Sequence, residues 1–111
     1  MLDLHALTGE FVQRMQQHYG DRLARVVLYG SYARGDFHEE SDVDLMVVLR
    51  DEKISDWKET VAIVDQTYDL ALKYSVVISS KPVVLKKYEQ GPDFFFEQVN
   101  KYGVNLYITA A

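Results

Sequence analysis

Gly30-Ser31-Tyr32-Ala33-Arg34-Gly35-Asp36-Phe37-His38-Glu39-Glu40-Ser41-Asp42-Val43-Asp44 links two short apolar runs and puts polar chemistry at the end of the first and the start of the second. Leu23–Tyr29, ahead of it, is rich in β-branched and aliphatic residues and predicts a strand. That run ends on Gly30-Ser31. Glycine lets backbone approach a ligand closely because it has no Cβ. Free N–H groups at a helix start, joined by a serine hydroxyl, suit an oxyanion such as phosphate. Arg34 follows Ser31 by three residues and adds positive charge to the same turn, which Gly35 would close. Val43–Leu49 predicts a second strand, and its unbroken apolar run beyond Asp44 suggests burial on both faces. Asp42 and Asp44 open it on one face, with Cα atoms about 6.6 Å apart from the rise per residue. Two carboxylates beside a triphosphate cradle form a hard oxygen site suited to Mg²⁺. Pairs of such ions, about 3.5–4 Å apart, promote in-line displacement at phosphorus.

Each element alone has a plainer explanation. A Gly-Ser pair after a strand is usually a turn, two spaced aspartates are usually a solvated edge, and one arginine is usually a solvated side chain. Tyr32 and His38 read as surface or packing residues. The combination is what carries weight. Asp36, Glu39 and Glu40 add negative potential around the mouth, so a nucleotide would need metal to arrive before it or with it. Competing motifs fail on inspection. Asp36-Phe37 stands where a Walker A loop needs Lys-Ser/Thr. An EF-hand begun at Asp42 puts Val47 at the invariant glycine and Lys53 at the bidentate glutamate. A glycosidase acid–base pair would want an aromatic-lined sugar cleft, which no other part of the chain announces.

Further out, Leu4, Leu7, Phe11, Val12, Met15 and Tyr19 give a first helix one apolar face, with Gly20 suited to its end. Ser55-Asp56 reads as an N-cap and first turn, and Trp57, Val61, Val64, Tyr68 and Leu72 keep helical spacing almost to Tyr74. Val76–Ser79 predicts a third strand, with Pro82 marking a break or an edge. Gly91-Pro92-Asp93 resembles a helix start, Gly103 a stop, and Val104–Ile108 a last strand. The alternation implies a single α/β domain over residues 1–111.

Composition bounds the function. The chain has 111 residues, 12 basic and 17 acidic side chains, a net charge of −5 and no cysteine. One domain of about 100–150 residues is the expected size class. The acidic balance argues against general DNA binding. Without cysteine there are no disulfides, zinc-thiolate sites or thiol nucleophiles. The first residues lack the basic-then-apolar layout of a signal peptide, and no apolar run approaches the roughly 20 residues of a membrane span. The expectation is a soluble, cytoplasmic protein.

Gly30-Ser31, ten intervening residues and Asp42-Val43-Asp44 resemble the signature of nucleotidyltransferases of the DNA polymerase β superfamily. Ala33-Arg34-Gly35 and Ser41 narrow the resemblance to the minimal, MNT-type members, and it spans nearly the whole chain. It implies a polymerase-β-like α/β fold of the α+β kind, a small mixed sheet with helices packed mainly on one side. It implies Asp42 and Asp44 as catalytic Mg²⁺ ligands, for two ions, and Gly30-Ser31 as the contact to the β- and γ-phosphates of ATP or another NTP. The implied reaction transfers a nucleoside monophosphate to a hydroxyl and releases pyrophosphate. Minimal members commonly pair with a small helical HEPN protein as antitoxin and toxin, and AMP can pass to a tyrosine of that partner.

One departure stands out. The superfamily usually has a third carboxylate on the next strand, yet Ser75-Val76-Val77-Ile78-Ser79 contains no acid. Asp65 and Asp69 are near in sequence but belong to the preceding helix. Either the base comes from the acceptor or partner, or is dispensable for an acidic hydroxyl such as tyrosine, or activity is lost. In the last case the domain neutralises a partner without chemistry. The aromatic-rich C-terminal part (Tyr88, Phe94–Phe96, Tyr102, Tyr107) divides between core and a surface for a partner or homo-oligomer. Lys81, Lys86 and Lys87 form a solvated face, or one that steers a triphosphate or an acidic partner.

Overall fold

Leu23–Tyr29 and Val43–Leu49 form strands β1 and β2 with the expected bounds. They pair antiparallel, Val26 opposite Val47 and Tyr29 opposite Asp44. The computed structural model describes residues 2–91 and 93–109. Strand β3 (Ile78–Val84) runs parallel to β2, and β4 (Val104–Ile108) antiparallel to β1, giving the mixed order β3-β2-β1-β4. A parallel neighbour needs a crossover, and helix α3 (Asp56–Tyr74) supplies it, started by the Ser55 hydroxyl accepting the Lys58 N–H at 3.3 Å.

The two-residue period of the central strands sorts side chains into two cores. Val43, Leu45, Val47 and Leu49 meet Leu7, Phe11 and Met15 of α1 (Leu4–Tyr19) and Ile63 and Leu70 of α3. Met46 and Val48 face the other way, onto Val83, Tyr88 of α4 (Leu85–Gln90) and Phe96 and Val99 of α5 (Phe94–Tyr102). The two long helices thus share one face, and two short ones close part of the other. Burial on both sides explains why β2 shows no polar alternation beyond Asp44. No helix among the described residues is long and apolar enough to cross a membrane.

Several elements differ from expectation. On α3 the helical spacing is right, but the line Trp57, Val61, Val64, Tyr68 and Leu72 is exposed, and Ile63, Thr67 and Leu70 are buried instead. Contacts with α1 match this rotation. Arg14 donates to both Asp69 carboxylate oxygens, at 2.8 and 2.9 Å, and to the Gln66 carbonyl, while Lys73 and Tyr74 hold Glu10. Thr67 is tolerated inside because its hydroxyl donates to the Ile63 carbonyl at 2.8 Å. Strand β3 begins at Ile78 rather than Val76 and runs through Pro82, which an edge strand allows. Helix α4 was not expected. The proposed proline start at Pro92 lies outside the described residues, and α5 begins at Phe94 after Asp93.

Phe11 is fully buried in the α1–α3 core. Phe11→Ala is expected to cost about 3–5 kcal/mol of unfolding free energy, read from the shift in urea midpoint at unchanged slope.

Candidate active site

Strand β1 delivers the backbone to Gly30 directly beside Asp44, because Tyr29 and Asp44 are register partners. Gly30 has φ 74° and ψ −154°, a conformation open essentially to glycine alone. Space reinforces the conformation: a Cβ on Gly30 would lie 2.1 Å from an Asp44 carboxylate oxygen. Glycine is therefore required twice over. Helix α2 (Ser31–Arg34) starts immediately after it, with the Arg34 N–H donating to the Gly30 carbonyl at 3.1 Å. Gly35 closes the turn in the left-handed region at φ 84°, and the Ser31 carbonyl accepts from both Gly35 and Asp36 N–H groups. The N–H groups of such a first turn have no partner within the helix.

The loop after α2 is tied locally. Ser41 Oγ accepts the His38 N–H at 2.9 Å, and His38 Nδ1 accepts the Glu40 N–H at 3.2 Å. These residues, read from sequence as peripheral or as part of a signature, shape the approach to Asp42. Tyr32 and Phe37 stack with centroids 4.4 Å apart and fasten the loop to α2. Asp42 precedes β2 and Asp44 lies within it, on the sheet face that carries α4 and α5.

Electrostatics links the three expected charges. Burial, and then repulsion from Asp42, push the Asp44 carboxyl above the usual carboxylate range, while Arg34 pulls it back. The Arg34 guanidinium also reaches Asp36, at 3.3 Å. Gly30, Ser31, Arg34, Asp42 and Asp44 are thus brought to one end of the sheet. The donor set fits a hard divalent cation: two carboxylates held near each other, one of them uncomfortable when ionised. No group of three His, Asp or Glu side chains suited to a metal occurs among the described residues.

Strand register shows what replaces a third acid. Ser79 pairs with Asp44 and Lys81 with Met46, so β3 presents Ser79, Lys81 and Val83 along this neighbourhood. Asp69 is engaged by Arg14 on the opposite face of the sheet, and Asp65 is exposed on the same helix. Neither reaches Asp44.

The sequence reading missed a wall of the site. Tyr29, Phe95, Gln98 and Tyr102 line a cleft of about 310 Å³ that also touches Gly30 and Arg34. Tyr29 meets Phe95 edge-on at 5.7 Å, and the Lys81 ammonium lies 5.6 Å from the Phe95 ring centre. Burial, helped by the Asp44 charge, pushes the Tyr29 hydroxyl up to about 12. The excess of aromatics near the C-terminus was the available signal. It divides as Phe96 and Tyr88 in the core and Phe94, Phe95 and Tyr102 on the surface.

The Asp44 shift fixes the sign of a pH effect. A raised folded-state value favours folding while the carboxyl is protonated, and that contribution is lost as pH rises through the raised value. At neutral pH without divalent cation, Asp44→Asn is expected to melt above wild type, and the gap should close below about pH 4. Differential scanning calorimetry across pH checks it; an Asn variant melting below wild type at pH 7 contradicts it.

Comparison with known proteins agrees with this geometry. A family model described as a nucleotidyltransferase domain matches residues 9–101. A relative from Methanocaldococcus jannaschii with the provisional name protein adenylyltransferase MJ0141 is 33% identical over 105 residues, 95% of this chain and 100% of its own length. Two solved structures share the fold. A toxin–antitoxin structure with AMP-PNP has a TM-score of 0.61 at 20% identity, covering 91% of this chain and 73% of the other. An MntA–HpeT toxin–antitoxin structure has a TM-score of 0.62 at 16% identity, covering 93% and 74%. With the family model spanning most of the chain and the Gly-Ser turn packed against the Asp strand, this chain belongs to the nucleotidyltransferase domain family.

Proposed function

We propose that the chain transfers AMP from ATP to a tyrosine hydroxyl of a helical, HEPN-type partner protein, and that this modification is how it acts as an antitoxin. The observation that carries the reading is the Gly30–Asp44 approach, which sets the backbone of the Gly30-Ser31 turn directly against the Asp44 carboxylate with no room for a Cβ. The family, the adenylyltransferase name of the relative and the toxin–antitoxin neighbours support it.

In this reading the first-turn N–H groups and the Ser31 hydroxyl hold the β- and γ-phosphates, and Arg34 adds charge on the same side. Asp42 and Asp44 would hold Mg²⁺, and when bound the cation supplies charge neutralisation at the phosphates. The acceptor oxygen attacks the α-phosphorus, the bond to the β-phosphate oxygen breaks, and pyrophosphate leaves. The acceptor proton passes to solvent or to a base on the partner. A tyrosine hydroxyl, with an ordinary pKa of about 10, asks less of a base than an aliphatic alcohol does. Ser79 and Lys81 on the neighbouring strand offer no carboxylate for that task, which favours a phenolic acceptor over a sugar hydroxyl. The cleft at Phe95, Gln98 and Tyr102 offers an apolar wall for the nucleoside.

A second reading follows from the same missing acid: a subunit that keeps the fold and neutralises its partner by binding alone. Labelled ATP, Mg²⁺ and the co-transcribed partner separate the two. The enzyme reading expects label on the partner, reduced at least 100-fold by Asp42→Asn or Asp44→Asn, an effect of roughly the size seen when one electrostatic contributor is removed from an active site. Equal inertness of all three proteins, with neutralisation intact, would leave the binding reading.

A further inference from the structure

Helix α3 turns its larger apolar line outward. Trp57, Val61, Val64, Tyr68 and Leu72 are between 41% and 78% exposed, in one row. Isolated surface apolar residues are ordinary, but a contiguous row of five marks a contact surface. Arg14 and Glu10 hold Asp69, Gln66 and Lys73, so α1 lies along one flank of α3 and the row runs along the other.

Spacing and charge identify what covers it. Trp57, Val61, Val64 and Tyr68 are separated by four, three and four residues, and half-buried Ala71 continues the series. That is the alternation of a coiled-coil seam. Lys58 and Asp65 lie seven residues apart, each one position after a seam residue, so both flank the row on the same side. Both are exposed, and neither belongs to an ion pair among the described residues.

We propose that this face binds α3 of a second copy of the chain, antiparallel, about a two-fold axis passing between Ala62 and Ile63. Trp57 then meets Tyr68 of the second copy, and Val61 meets its Val64. Lys58 stands about 3 Å along the axis from Asp65 of the second copy, two residues of helical rise. Two-fold symmetry repeats every contact, giving four apolar layers and two ion pairs. A parallel pair would set Trp57 against Trp57 and leave both charges without an opposite partner, since the other flank carries uncharged Thr60 and then Thr67 and Tyr74, which are turned into the core. Helix α3 packs on the sheet face opposite Asp44, so both candidate sites stay open in the dimer. The inference does not depend on the reaction proposed above.

Sedimentation equilibrium of the purified chain over a range of concentrations tests it. Wild type is expected to be dimeric at high concentration, and Val64→Glu monomeric with an unchanged far-UV spectrum. Lys58→Glu should weaken the dimer about tenfold, and Lys58→Glu with Asp65→Lys should restore it. A wild type that is monomeric throughout overturns the proposal, as does a dimer indifferent to Val64→Glu or not rescued by the charge exchange. A monomer whose binding to the co-transcribed partner is lost in Val64→Glu also overturns it, assigning the row to that partner instead.

Discussion

The contact between Gly30 and Asp44 constrains everything around it. The antiparallel register of β1 and β2 sets Tyr29 against Asp44, so the next residue must pass the carboxylate with no space for a side chain. The same residue must take a positive φ to turn the chain into α2. One glycine meets the steric and the conformational demand together. The consequence is electrostatic: backbone N–H groups, Arg34 and two aspartates converge at one sheet end, where burial and mutual repulsion disfavour the ionised Asp44.

Division of labour between the two sheet faces follows. Long helices α1 and α3 cover one face with a fully buried core, Phe11, Met15, Leu45 and Ile63 among its members. The other face is left to α4 and α5, and this lighter cover leaves a cleft between β1 and α5 at the end that carries Asp44. The net charge of −5 acquires a location as well. Five of the acidic residues fall between Asp36 and Asp44, so the negative potential concentrates at the mouth of this site. Such a field favours a cation, and a nucleotide arriving with one.

Local signals were readable where one physical demand dominated. The bounds of β1 and β2, the Ser55 cap and the Gly35 turn each follow from a neighbouring residue, and the structure agrees with all four. Choices between equally periodic alternatives were not readable. Two lines on α3 have helical spacing, and the more apolar one is outside: Ile63 and Leu70 join the core with α1, and ties from Arg14 and Glu10, more than fifty residues away in sequence, match that rotation. Pro82 marked a break or an edge, and the structure takes the edge: β3 runs through it because an edge strand places the missing donor without penalty. The α5 wall of the cleft escaped notice because its aromatics serve the core and the surface alternately, Phe96 inward and Phe94 outward. Which residues of the Gly-Ser and Asp segments come together was visible in the sequence; what stands opposite them depended on tertiary packing.

Titration calorimetry with Mg²⁺ and a non-hydrolysable ATP analogue on the Gly30→Ala variant tests the central claim most directly. Wild type should bind the nucleotide in the presence of the cation. Gly30→Ala, shown folded by its far-UV spectrum and a cooperative melt, should lose that binding, because the added methyl occupies the space beside Asp44. A folded Gly30→Ala protein that binds the nucleotide as tightly as wild type would contradict the account.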